Sequence, residues 1–105
     1  MKNLFNVAVN ELVERANKEL KDMRKDIDML VNKGDKINIV CEGKVYLDNI
    51  VYRLNILKDK FAIDFPEDIE ELKHIEKAIN VINIQAIDLL NIANEAGNEI
   101  LELEC

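Results

Sequence analysis

Ten apolar residues alternate by steps of three and four toward the end of the chain: Leu72, Ile75, Ile79, Ile82, Ala86, Leu89, Ala93, Ala96, Ile100 and Leu103. A strand repeats every second residue, and scattered apolar residues do not hold such a rhythm for this long. The pattern is that of a helix-packing seam. It predicts one long C-terminal helix over about 65–104, and the remaining chain must supply what covers the seam. Asp64-Phe-Pro-Glu67 offers an entrance for that helix: an Asp N-cap, a Glu three residues later, and Pro66 in the first turn, where its missing N–H costs little. Glu67, Asp68, Glu70 and Glu71 then sit at the positive end of the helix dipole.

A second long helix is expected over 3–33. Phe5, Val9, Leu12, Ala16, Leu20, Met23, Ile27 and Leu30 follow the same steps, and Gly34 stands where a C-cap glycine belongs. Its outer face carries Glu14 with Lys18, Arg15 with Glu19, and Asp22 with Lys25, as a solvated helix does. The next segment has two readings. Lys36-Ile-Asn-Ile-Val-Cys41 and Lys44-Val-Tyr-Leu47 are rich in strand formers and flank Glu42-Gly43. They spell a small β-hairpin over 36–47; a helix that tolerates Gly43 is the alternative. A shorter helix over 48–61 then starts at Asp48 and places Ile50, Leu54, Leu57 and Phe61 on one face. The fold class expected is therefore all-α, a helical bundle in a single domain over 1–105.

Composition removes many chemistries. The chain has no Ser and no Thr, so it lacks Ser or Thr nucleophiles, phosphate loops that need such a hydroxyl for magnesium, and N-glycosylation motifs. No apolar run reaches the length of a membrane span and no signal peptide is recognised, so no membrane partner and a cytoplasmic location are expected. Cys41 and Cys105 form no spaced motif; Cys41 reads as a buried thiol among apolar neighbours, Cys105 as a free one, and a reducing compartment fits best. Glu71-Leu-Lys-His74 matches one Glu-x-x-His unit of di-iron bundles, but a second unit and the extra glutamates are missing. No catalytic, metal or cofactor site is expected, and the chain reads as non-enzymatic.

Three surface features carry the functional expectation. Val81, Ile84, Ile87, Leu90 and Ile92 lie off the seam, so the long helix is apolar around much of its girth. Val81, Ile84 and Ile92 are the candidates for self-association into a homo-oligomer. Ala86, Ala93, Ala96 and Gly97 make the seam slim, which suits close packing, a tyrosine such as Tyr46 or Tyr52 in the groove, or a ligand slot. The net charge of −7 is uneven: residues 1–65 hold eleven acids and twelve bases, whereas residues 66–105 hold ten acids and two bases. Asp88, Glu95, Glu99 and Glu102 share a face opposite the seam with no base beyond Lys77, an acidic strip for a basic protein surface. The basic cluster Lys18, Lys21, Arg24 and Lys25 is interrupted by Asp22, Asp26 and Asp28, which argues against direct nucleic-acid binding.

Two function classes follow. One is a helical interaction or assembly module of the coiled-coil kind, partnered by itself. The other is a small acidic inhibitor that occupies a basic, nucleic-acid-binding surface of a target. The Asn-, Ile- and Lys-rich composition suggests an AT-rich bacterium or its phage, and phage anti-defence proteins acting in the host cytoplasm are often of this size and charge.

Overall fold

The computed structural model describes residues 2–95, and these form three α-helices and no strand. Helix α1 spans Lys2–Met29, α2 spans Lys33–Asp64 and α3 spans Ile69–Glu95. The protein is an all-α three-helix bundle, an elongated body of 50 × 21 × 17 Å. A body this narrow buries one side of each helix and leaves the other in water.

The core follows the seams. Val9, Leu12, Ala16, Leu20, Met23 and Ile27 of α1 meet Val40, Leu47, Ile50 and Leu54 of α2 and Ile75, Ile79, Ile82, Ala86, Leu89, Leu90 and Ala93 of α3. Leu72 is only half-buried at the start of its seam, and Ala96, Ile100 and Leu103 lie outside the described residues. At one end of the bundle sits an aromatic cluster. The Phe5 ring stands edge-on to Phe61 at 5.3 Å and to Phe65 at 5.9 Å, tying the start of α1 to the end of α2.

The expected boundaries shift, each for a local reason. The N-terminal helix stops at Met29, not at residue 33, and closes with Leu30 N–H donating to the Asp26 carbonyl. Asn32 is extended and its side chain accepts from the Asp35 N–H at 3.2 Å, so it is the N-cap of α2. Gly34 therefore lies in the first turn of the next helix and not at a C-cap; no glycine among the described residues has positive φ. The hairpin expected over 36–47 is absent. Residues 33–64 are one helix, so Asp48 is an interior residue and not the N-cap of a separate helix over 48–61. Packing overrides strand propensity here: Val40 and Leu47 are sealed in the core, and the missing Cβ of Gly43 lets Met23 of α1 lie against the α2 backbone.

The entrance to α3 is one turn later than expected. Asp64 ends α2, Phe65 caps it with its N–H on the Phe61 carbonyl, and Pro66 falls in the connecting turn. A residue before proline resists helical geometry, which is what Phe65 needs to break the helix. Asp68 is the working cap: its Oδ1 accepts from the Glu71 N–H at 3.3 Å. The last stretch of the helix expected over 65–104 lies outside the described residues.

Candidate interaction surfaces

Charged side chains are confined to the surface; no polar or charged residue among those described is buried. Arg15 pairs back to Glu11 at 2.6 Å instead of forward to Glu19. Lys44 reaches Asp48 at 3.2 Å, and Lys58 of α2 approaches Glu76 of α3 at 3.9 Å. Glu19 is half-buried, and its carboxyl is pushed above the ordinary 4.5 by desolvation, then by the like charges of Asp22 and Asp26.

The α3 features resolve differently from one another. Leu90, expected off the seam, is buried in the core. Val81, Ile84, Ile87 and Ile92 remain exposed, at 40%, 58%, 53% and 37%. Asp88 is exposed and lies between Ile84 and Ile92 on that same outer side. It lines a cleft between α1 and α3 with Lys21, Arg24 and Gln85, so the first member of the expected acidic strip stands near bases of α1. Of Glu95 only the helical backbone is described; Glu99 and Glu102 lie outside the described residues.

The slim seam is filled by packing. Ala86 and Ala93 are buried core residues, and Ala96 and Gly97 fall outside the described residues. Tyr46 and Tyr52 do not fill it: both sit on α2 and are exposed, at 44% and 66%. His74 is exposed, and among the described residues no three His, Cys, Asp or Glu side chains converge. Cys41 is half-buried and disulfide-bonded, which corrects the expectation of a buried thiol there. The sequence holds one other cysteine, Cys105, outside the described residues. No helix among the described residues is long and apolar enough to cross a membrane.

A surface on α2 went unread in the sequence. Val45, Tyr52, Ile56 and Ile63 are exposed at 69%, 66%, 49% and 78%. At 3.6 residues per turn they line up on one side, opposite Leu47, Leu54 and Phe61. The signal was present as a second alternation of four and three through 45, 49, 52, 56, 59 and 63, but a hairpin assigned to 36–47 cuts across it.

No family model, curated protein or solved structure matches this chain.

Proposed function

We propose that this protein is a non-enzymatic helical interaction module that assembles with copies of itself. One observation carries the reading: a bundle with a closed apolar core also presents large apolar side chains in rows along two helices. Val81, Ile84 and Ile92 form one row on α3, and Val45, Tyr52, Ile56 and Ile63 form the other on α2. Single exposed apolar residues are ordinary, but rows along one helix face are interaction surfaces. Fully covering one such side chain is worth about 1.5–3 kcal/mol before the cost of association. Sedimentation equilibrium over a range of concentrations tests it. The expected result is a mass rising above the 12.1 kDa of one chain. A single 12.1 kDa species at every concentration defeats the reading.

The α3 side supports a second reading, because its apolar row is broken by Asp88 and no base follows Lys77 in the sequence. A mixed apolar and acidic face suits a basic protein surface, as in an inhibitor of the phage anti-defence kind that blocks a nucleic-acid-binding site. Salt separates the two readings. Binding to a basic partner weakens steeply as salt rises, whereas association between copies that each carry net charge −7 does not.

A further inference from the structure

We propose that the outer face of α2 is where a second copy of this chain docks, with the two α2 helices antiparallel about a two-fold axis at the height of Leu54. The proposal rests on the self-assembly reading and assigns it a face and a register. Along that face run Val45, Asn49, Tyr52, Ile56, Asp59 and Ile63, spaced by alternating steps of four and three, all exposed. The row has the spacing of a packing seam, yet the bundle's own core occupies the opposite side of the helix.

The order of residues in the row is what points to a second copy. Read from either end it runs apolar, polar, apolar, apolar, polar, apolar. An isologous interface places residue i on residue j and j on i, so it requires such a palindrome. With the axis at Leu54, Val45 meets Ile63 of the partner subunit, Tyr52 meets Ile56 of the partner subunit, and Asn49 meets Asp59 of the partner subunit. Four layers are then apolar on apolar. The two polar layers set an amide donor against a carboxylate acceptor, a charge-assisted hydrogen bond.

Other alignments of the same row fail on charge. Parallel helices stack Asp59 on its own copy. Sliding the antiparallel pair by one heptad sets Asp59 against Glu42 in one direction and against Ile56 in the other. The rim is compatible with the two-fold: Lys60 falls on the same edge as Tyr46 of the partner subunit, about 3 Å away along the axis, so the ammonium can reach the ring. Arg53 lies near its own copy at the exposed edge, a repulsion that salt screens. The row from Val45 to Ile63 is about 27 Å long and one helix wide, below the size of a standard interface, so the dimer is reversible and concentration-dependent. The α3 row is less suited. A two-fold that pairs Val81 with Ile84 leaves Ile92 outside the contact.

Sedimentation equilibrium of the full chain and three variants, each checked for helix content, tests the face and the register. Ile56→Glu should weaken the dimer by about a hundredfold or more, since it buries two charges near the axis. Asn49→Lys should tighten it about tenfold, because two ammonium groups then face two carboxylates. Ile84→Glu should leave it unchanged. A wild-type chain that never dimerises overturns the assembly reading itself. A dimer that withstands Ile56→Glu and dissociates with Ile84→Glu overturns the α2 face and leaves assembly standing. A dimer lost with Ile56→Glu but weakened by Asn49→Lys overturns the antiparallel register alone.

Discussion

On the inner face of α2, Leu47, Leu54 and Phe61 are sealed from water; half a turn away, Val45, Tyr52, Ile56 and Ile63 are open to it. Both faces belong to one helix and are of similar apolar character, so hydrophobicity alone does not say which is core. What distinguishes them is what lies opposite. The inner residues meet the seams of α1 and α3, which were already committed to packing by their own periodicity. Among the described residues nothing covers the outer ones. In α1 the same comparison comes out differently: Leu4, Val7 and Met29 are exposed near its ends, but between them the outer face is polar and mostly charged, with Arg15 paired to Glu11 across one turn. A helix with one apolar side is finished by its bundle. A helix with two keeps one of them in water.

The comparison breaks most sharply on substitution. Leu54→Ala should lower the unfolding free energy by about 2–5 kcal/mol, since a fully buried leucine leaves a cavity between three helices. Ile56→Ala, two residues away and half exposed, should change it by no more than about 0.5 kcal/mol when measured at concentrations where the chain is monomeric. Urea titration of the two variants side by side is the measurement. Equal losses at the two positions would mean that the outer face is internal after all.

How far the fold was legible follows from the same contrast. In α1 and α3 the apolar residues gather on one dominant side, so their periodicity emerges from the sequence, and Phe5 through Ile27 and Ile75 through Ala93 fall where their spacing says. In α2 two apolar rows stand on opposite sides and cancel. Ile37, Ile39, Val40 and Val45 then look like strand residues, and Gly43 looks like a turn. Two helix starts were displaced for a simpler reason. Asp64-Phe-Pro-Glu67 and Asp68-Ile-Glu-Glu71 carry the same acid spacing one helical turn apart, and only the break at Phe65 and Pro66 selects the second. Asn32-Lys-Gly-Asp35 was a readable cap, overshadowed by the glycine inside it. The exposed α3 row was visible as apolar residues off the seam. The α2 row was not, because it exists only once residues 33–64 are recognised as one helix.

Gly43 sharpens the comparison at the α1–α2 contact. In an isolated helix, exchanging glycine for alanine gains about 1 kcal/mol. Here a Cβ would fall within 2.8 Å of Met23 Cγ and 2.9 Å of Met23 Cε, closer than packed atoms sit. Met23 is itself buried, so its side chain has little room to move aside. Overpacking of a filled core costs about 1–3 kcal/mol, so Gly43→Ala should be net destabilising by up to about 2 kcal/mol despite the better propensity. Met23→Ala in the same background should reverse the sign of the Gly43→Ala effect, and a double-mutant cycle in urea reads that coupling. Additive effects would show that the close approach at Gly43 is not what makes glycine necessary there.

The smallest effect expected belongs to the charged face that gives α1 its single-sided character. Glu19 sits where that face meets the core, half-buried, with its carboxyl held above the ordinary 4.5 by desolvation and by Asp22 and Asp26. A folded-state pKa above the unfolded value means that the native state binds this proton more tightly. The associated stability is fully present below the ordinary value and is lost as pH rises through the raised one. At neutral pH Glu19 is therefore a mild liability, since the chain must hold an ionised carboxylate in a place that favours the neutral acid. Glu19→Gln keeps the shape and removes the charge. It should raise the melting temperature slightly at neutral pH, and the gain should shrink to nothing as the pH is lowered below 4.5. Thermal unfolding of the wild type and Glu19→Gln at both pH values checks the sign. A gain that persists in acid would trace to packing of the amide. A loss at neutral pH would mean that Glu19 has a stabilising cationic partner in the folded chain, and that the outer face of α1 contributes to holding the bundle together.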